Sequence, residues 1–180
     1  MRILLVNPPN YRLQQIAYSY FPLGLGYLAS VLRANGFTVA IYNAEHESQR
    51  VSLGDWNHAT RDRQFEEYLR ALENPEHYVW QEVKQVLKNY NPSIVGIGTV
   101  SVTYRSALKI ASIVKGFNPT IPVVFGGPHP TVLPEYVLKE PDVDFVVIGE
   151  GEETLLELVN VISQGKRDFR GLTGPQERVQ

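Results

Sequence analysis

Two apolar segments that end in glycine carry the residues best suited to form a binding site. Residues 94–98 read Ile-Val-Gly-Ile-Gly, and residues 123–127 read Val-Val-Phe-Gly-Gly. Such short apolar runs predict buried strands, and a terminal glycine lets another backbone or a ligand approach closely. The carboxyl ends of parallel strands meet at one edge of a sheet, where open α/β folds bind ligands. The two segments therefore predict a site for a large, enclosed ligand, with a tight turn flanked by Pro128 and Pro130 as the alternative interpretation of the second one.

A third segment, residues 149–154, brings acidic side chains to the same edge. Glu150, Glu152 and Glu153 follow the predicted fifth strand and begin a helix. Glu150 or Glu152 has the chemistry of a general base in an enzyme that acts on a nucleotide or a sugar. Acidic residues in the first turn of a helix also interact favourably with the helix dipole, without any catalysis. We therefore assign no catalytic residue.

The sequence lacks the motifs of several common α/β sites. A dinucleotide-binding fold needs Gly-x-Gly-x-x-Gly after the first strand, but an Asn-Pro-Pro sequence stands there. There is no Walker lysine loop and no Gly-x-Ser-x-Gly elbow. His46, His58 and His77 have no metal-ligand spacing, so we predict no metal ligands.

Composition limits the classes of partner. Seventeen basic residues stand against nineteen acidic ones, and the net charge of -2 gives no electrostatic reason to expect nucleic acid or an anionic membrane. The chain has no cysteine, which excludes disulfides and thiolate-ligated zinc or iron–sulfur clusters within it. Pro8 and Pro9 interrupt the first apolar run too early for a signal peptide, and no run approaches the roughly 18 apolar residues of a membrane span. A cytoplasmic protein is expected.

Five apolar runs alternate with helical patterns and must position these segments. The predicted strands are residues 3–6, 37–42, 94–98, 122–125 and 144–148. The predicted helices run from Pro22 to Gly36 and over residues 65–72, 79–87, 104–117, 132–138 and 155–162. This order predicts a three-layer α/β/α sandwich with a five-stranded parallel sheet, of Rossmann-like or flavodoxin-like type, over residues 1–165. We interpret residues 43–80 as an insertion and residues 166–180 as a tail or linker.

Taken together, the motifs resemble the N-terminal cobalamin-binding domain of cobalamin-dependent radical S-adenosylmethionine enzymes. The similar segments are Asn-Pro-Pro at 7–9, Pro-Leu-Gly-Leu-Gly-Tyr-Leu-Ala at 22–29, Pro-Ser-Ile-Val-Gly-Ile-Gly at 92–98, Val-Phe-Gly-Gly-Pro-His-Pro-Thr at 124–131 and Asp-Phe-Val-Val-Ile-Gly-Glu-Gly-Glu at 144–152. Members of the family include anaerobic magnesium-protoporphyrin IX monomethyl ester oxidative cyclases and methyltransferases. The resemblance implies that this chain binds cobalamin, with the nucleotide tail of the cofactor in a slot beside the sheet.

The resemblance also implies which residues contact the cofactor. The slot would lie between the loop after the third strand and the loop after the fourth, which supply Gly98, Thr99, Ser101 and Val102 on one side and Gly126, Gly127, His129 and Pro130 on the other. Ser101 or Thr99 would hydrogen-bond the free nitrogen of the benzimidazole. Near the corrin face we expect Asn7, Pro8, Pro9, Phe21, Pro22, Leu23 and Gly24, and the predicted cofactor-binding set is completed by Gly149, Glu150 and Gly151.

Two departures from the family pattern define the expected role. Many cobalamin domains carry Asp-x-His-x-x-Gly after the first strand, whose histidine binds cobalt, but no histidine lies between Asn7 and Phe21. The expected corrinoid is therefore His-off, and it is also base-off because its benzimidazole would lie in the slot with the nucleotide tail. The radical enzymes also carry Cys-x-x-x-Cys-x-x-Cys in a barrel that holds S-adenosylmethionine and a 4Fe-4S cluster, whereas this chain has no cysteine.

The chain is thus expected to be a non-catalytic fragment, or a stand-alone module, that works with a radical S-adenosylmethionine barrel in cis. The alternatives are a flavodoxin-like docking module without cofactor and the nucleotide- or sugar-acting enzyme described above.

Overall fold

The computed structural model describes residues 1–16, 20–46, 58–165 and 175–177, and its central element is one sheet. The strands are β1 (Arg2–Asn7), β2 (Thr38–Asn43), β3 (Ile94–Gly98), β4 (Val123–Gly126), β5 (Phe145–Val147) and β6 (Pro175–Glu177), in the order β2-β1-β3-β4-β5-β6. The first five strands are parallel, which confirms the predicted sheet. β6 pairs antiparallel with β5 and lies within the predicted tail, where the sequence analysis expected no strand.

Helices cover both faces of this sheet. They are α1 (Leu23–Ala34), α2 (His58–Glu73), α3 (Tyr78–Tyr90), α4 (Tyr104–Phe117), α5 (Pro128–Val132), α6 (Pro134–Val137) and α7 (Glu152–Ser163), and two short 3-10 helices span Arg12–Gln14 and Ser101–Thr103. The sequence predicted one helix over 132–138, where the structure has two short helices. Leu133 adopts φ -129° and ψ 52° between them, because a residue that precedes proline is disfavoured in the helical conformation.

Successive residues of each strand point to opposite faces and build two separate cores. On one face, side chains such as Val95, Ile97 and Phe125 pack with α2, α3 and α4. On the other face, Leu5 and Val124 belong to a core that includes residues of α1 and α7. We call these the α4 face and the α1 face. The result is the three-layer α/β/α sandwich that the sequence predicted.

The helix α2 lies in the segment interpreted as an insertion, yet it takes part in the core of the α4 face. Its Tyr68 and Ala71 are buried. The indole nitrogen of the fully buried Trp80, in α3, donates a hydrogen bond to the Ala71 carbonyl at 2.7 Å. The described part of this segment therefore covers the sheet.

Candidate functional site

A cavity of about 350 Å³ opens at the carboxyl edge of the sheet, on the α1 face. It lies beside β1 and β3, between which the strand order reverses. This reversal is where open α/β sheets bind ligands, because the connections from the two strands leave on opposite faces and open a crevice. The cavity is bounded by the start of α1, the ends of β3 and β4, and the loop from β5 to α7.

Glycines on β3 and β4 form the floor of this cavity. Gly98 and Gly126 are paired in register, and both lie on the α1 face. A Cβ atom added to Gly126 would meet only Val147, at 3.9 Å, so the space above this residue is open. A Cβ atom on Gly98 would lie 3.1 Å from the Leu25 side chain, which already fills that place. The free volume is therefore centred nearer β4 than β3.

Most of the predicted cofactor-binding residues lie around this cavity. Those that line it are Asn7, Pro22, Leu23, Gly24, Gly98, Thr99, Gly126, Gly127, Gly149, Glu150 and Gly151. The predicted residues outside its lining are Pro8, Pro9, Phe21, Ser101, Val102, His129 and Pro130. The apolar lining residues were not predicted from the sequence; they are Leu5, Leu25, Leu28, Ile97, Val100, Val124, Val147 and Leu155. Their spacing resembles that of ordinary core residues, so no sequence signal distinguishes them.

The loops after β3 and β4 are joined to each other. The Thr99 amide donates to the Gly126 carbonyl at 2.7 Å, and the His129 amide donates to the Thr99 carbonyl at 3.2 Å. The Ser101 hydroxyl and His129 Nδ1 are also hydrogen-bonded, at 3.0 Å. The free space consequently lies on the α1 side of these loops. The sequence had predicted a slot between the two loops.

The hydroxyl groups expected to meet the benzimidazole have other partners. The Ser101 hydroxyl contacts His129 outside the cavity lining. Thr99 lines the cavity, but its side chain is buried and its hydroxyl lies 3.4 Å from the Ile97 carbonyl. Next to Ser101, the His129 ring lies against Tyr104, with ring centroids 4.3 Å apart. Burial and the neighbouring Glu140 carboxylate raise the pKa of Tyr104, so this tyrosine is a neutral hydrogen-bond donor.

Three polar residues form a closed arrangement at the wall nearest β1. Asn7 donates from Nδ2 to Oδ1 of Asn43 at 2.7 Å, and Asn43 donates from Nδ2 to the Tyr20 carbonyl at 2.7 Å. The Tyr20 hydroxyl returns to Asn7 Oδ1 at 3.3 Å. Asn7 and Tyr20 line the cavity and Asn43 does not, so Asn43 stabilises this wall through its hydrogen bonds to the two lining residues. Of these three residues, only Asn7 was predicted from the sequence to contact the cofactor.

Glu45 fixes the start of the loop that follows β1. Its carboxylate accepts hydrogen bonds from the backbone amides of Asn10, Tyr11 and Arg12 at 2.8, 2.8 and 3.1 Å. Burial raises the pKa of the Glu45 carboxyl, while these amides and the Arg12 charge oppose part of the rise. The Arg12 guanidinium contacts Glu82 at 2.6 Å and thereby ties the same loop to α3. No chemistry was predicted for Glu45 from the sequence, since its contacts join residues 33 to 35 positions apart.

The described ranges contain no group of three or more histidine, cysteine, aspartate or glutamate residues that could hold a metal ion. Within the same ranges no helix is both long enough and apolar enough to cross a membrane.

Residues 57–159 match the family described as the B12 binding domain, and this match covers more than half of the chain. The chain belongs to this family. The B12-binding domain described here also resembles curated proteins over nearly its whole length. It is 33% identical over 97% of its residues to an uncharacterized methyltransferase of Pyrococcus horikoshii. It is 30% identical over 92% of its residues to the anaerobic magnesium-protoporphyrin IX monomethyl ester cyclase of Rubrivivax gelatinosus.

Solved structures share the fold of this B12-binding domain. The methyltransferase TsrM from Kitasatospora setae, with cobalamin and a 4Fe-4S cluster bound, matches 99% of the chain with a TM-score of 0.65 and 21% identity. The radical enzyme OxsB with aqua-cobalamin bound matches 97% with a TM-score of 0.66 and 17% identity. The domain spans 32% and 25% of the two curated relatives, and 29% and 20% of the TsrM and OxsB chains.

Proposed function

We propose that this domain binds cobalamin with the nucleotide tail of the cofactor in the cavity beside β3 and β4. The observation that carries the proposal is the cavity itself, an apolar recess over Gly126 at the carboxyl edge of a B12-binding domain. Its volume of about 350 Å³ lies within the range of small-molecule sites. The apolar walls suit an aromatic base, and the missing Cβ of Gly126 leaves room for a ring.

Different parts of the cavity contact different parts of the cofactor in this proposal. Gly98, Gly126 and the apolar side chains around them hold the base. The residues at the start of α1 are more exposed, with 61% exposure at Leu23, and they lie closer to the corrin ring. Leu23 and Gly126 lie far apart in the sequence, and they contact one ligand only because the fold brings the start of α1 beside the end of β4.

The chemistry of the complex is divided between this domain and a second one. Bound cobalamin supplies a cobalt centre that carries a methyl group or assists a radical step. The chain has no cysteine to ligate an iron–sulfur cluster, and it spans only a third or less of its curated relatives. We propose that S-adenosylmethionine and a 4Fe-4S cluster are held by a barrel in cis, and that this barrel selects the substrate of a methyltransferase or oxidative cyclase.

In this proposal the domain supplies no histidine ligand to the cobalt. The benzimidazole of the cofactor does not bind the cobalt either, because it lies in the cavity. No histidine occurs in the sequence between β1 and α1, and His129 lies on the Tyr104 side of the β4 loop, outside the cavity lining. The test is electron paramagnetic resonance of bound cobalt(II) cobalamin. Cobalt hyperfine lines without nitrogen splitting are expected, and triplet splitting in the fully bound protein would refute this part of the proposal.

The binding proposal is tested by incubating the chain with aquacobalamin and following the corrin absorbance through gel filtration and a titration. A Gly126→Val variant places its side chain in the open space above the floor and should weaken binding at least about tenfold. Gly116→Val is the matched control, because a Cβ atom there meets nothing within 4 Å and Gly116 lies in α4, outside the cavity lining. If the unmodified chain retains no corrinoid, the proposal fails and the docking-module alternative gains support.

A further inference from the structure

The loop between β5 and α7, residues 148–151, forms one wall of the cavity and is rich in glycine. Two of its residues are glycines, and Gly149 adopts φ +70° with nothing within 4 Å of its Cβ position. The ladder between β4 and β5 ends at the pair Phe125 and Val146. Beyond that pair, the strand hydrogen bonds no longer fix the distance between this loop and the cavity floor.

Thr131 supplies a cross-link beyond the end of the ladder. Its hydroxyl donates to the Gly127 carbonyl at 2.8 Å and accepts a hydrogen bond from the Gly149 amide at 3.0 Å. One hydroxyl thus joins the loop after β4 to the loop after β5. Gly127 and Gly149 both line the cavity, whereas Thr131 does not. Thr131 therefore acts on the cavity only through the two walls that it connects.

We propose that Thr131 is a positioning residue for corrinoid binding, which holds the loop 148–151 at its distance from the glycine floor before the ligand arrives. The inference rests on the proposed function, because the ligand that the two walls enclose is the cobalamin tail. A wall that is already fixed loses little conformational freedom when a ligand binds, whereas a free glycine loop must be ordered at that moment. Loss of the hydroxyl therefore weakens binding without a new clash in the cavity.

The experiment compares Thr131→Val with Thr131→Ser in the full chain, with cobalamin as the titrant. Valine keeps the shape of threonine and removes the hydroxyl, while serine keeps the hydroxyl and removes the methyl group. The expected result is a dissociation constant about three- to tenfold higher for Thr131→Val, the range expected for one net hydrogen bond, and an almost unchanged value for Thr131→Ser. Thr120→Val is the control, since it removes an exposed hydroxyl that bonds Asn118 at 2.8 Å before β4 begins.

Two further measurements separate positioning from general stability. Hydrogen exchange of the Gly149 amide should accelerate in Thr131→Val, and the thermal unfolding temperature without cobalamin should fall no more than in Thr120→Val. If valine is not tolerated, Thr131→Ala against Thr131→Ser gives the same comparison.

Equal affinity of Thr131→Val and the unmodified chain would overturn the inference, as would an equal loss in Thr131→Ser. Failure of the unmodified chain to bind cobalamin would instead overturn the function on which the inference rests.

Discussion

The two faces of the sheet are made by alternate residues of the same strands, but they are packed very differently. On the α4 face, β3 and β4 present Val95, Ile97, Val123 and Phe125, all of which are buried in one continuous core. On the α1 face, the positions between them include Gly96, Gly98 and Gly126. The α4 face is closed by large side chains, and the α1 face leaves a cavity at the end of the strands.

This difference shows how one sheet separates stability from binding. Large buried side chains stabilise the fold in proportion to the apolar area that they remove from water. Glycines at the neighbouring positions contribute no such area, and the space over Gly126 is left as a recess that a ligand can fill. Successive residues of a strand point to opposite faces, so the cavity does not reduce the apolar area buried on the α4 face. The core of the α4 face can therefore stabilise the ends of the strands that border the cavity.

The largest effect should be a loss of stability when a large side chain is removed from the core of the α4 face. Phe125 is fully buried on β4, and Phe125→Ala should lower the free energy of unfolding by about 3 to 5 kcal/mol, since the lost burial is joined by the cost of a cavity. Urea denaturation measures this loss. Cobalamin affinity per folded molecule should change much less.

A matched pair of smaller substitutions sharpens the same comparison. Val123 and Val124 are adjacent and both buried, but Val123 lies in the core of the α4 face and Val124 lines the cavity. Val123→Ala should destabilise the fold more than Val124→Ala, because the second substitution enlarges a space that is already open to solvent. A larger loss of stability in Val124→Ala would contradict the division between the faces.

Two adjacent glycines should respond differently to the same substitution. Gly127 has φ +103°, and its Cβ atom would lie 2.9 Å from the Thr99 carbonyl oxygen. Gly127→Val should therefore cost about 1 to 3 kcal/mol of stability through backbone strain, and more if the Thr99 loop cannot move. Gly126→Val should leave the urea midpoint nearly unchanged and act on cobalamin affinity instead. Equal destabilisation by the two substitutions would show that the space above Gly126 is not free.

The sequence was sufficient to predict the five parallel strands, but not β6, and the edge of the sheet at which the cavity lies. Apolar runs that end in glycine are a local signal, and Gly98 and Gly126 are indeed paired in register. The sequence was not sufficient to show on which side of the β3 and β4 loops the space would open. That depends on the hydrogen bonds of Thr99 with Gly126 and His129, which join residues about 30 positions apart.

Residues that lie outside the cavity lining but hydrogen-bond its walls or the adjoining loop could not be predicted from the sequence either. Asn43 ends β2 and Glu45 follows it, in a polar stretch without periodicity, and each contacts a segment more than 20 residues away. Their residue types fit a loop as well as a site. Only the three-dimensional arrangement separates the two interpretations, because a side-chain amide or carboxylate has no spacing rule for distant backbone partners.

Removing hydrogen bonds from the cavity wall nearest β1 should have a moderate effect on cobalamin affinity. Asn43→Ala removes the hydrogen bonds to Asn7 and to the Tyr20 carbonyl. Each net hydrogen bond contributes about 0.5 to 1.5 kcal/mol, so we expect a dissociation constant for cobalamin several-fold higher and a modest loss of stability. Asn89→Ala is the control, because the Asn89 side chain accepts a hydrogen bond from Gln85 on α3 and lies outside the cavity lining. An equal change in affinity for both variants would argue against a role of Asn43 in the wall.

The smallest effect concerns pH and the helices that close the α4 face. His77 precedes α3, and its ring lies 6.5 Å from that of Trp80. Burial lowers the pKa of His77 below its ordinary value of 6.5, and the positive charge of Arg12 lowers it further. The unfolded chain therefore binds this proton more readily than the folded chain, so the stability that neutral His77 contributes is present above pH 6.5 and is lost as the pH falls through the lower folded value.

Urea midpoints should decline more between pH 7.5 and pH 5.5 for the unmodified chain than for His77→Gln, whose side chain cannot be protonated. The opposite face supplies no such group at its cavity lining, which contains no histidine among the described residues, and cobalamin affinity should change little between pH 7.5 and 6.5. An equal decline of the midpoint in both proteins would assign the pH dependence of stability to groups other than His77.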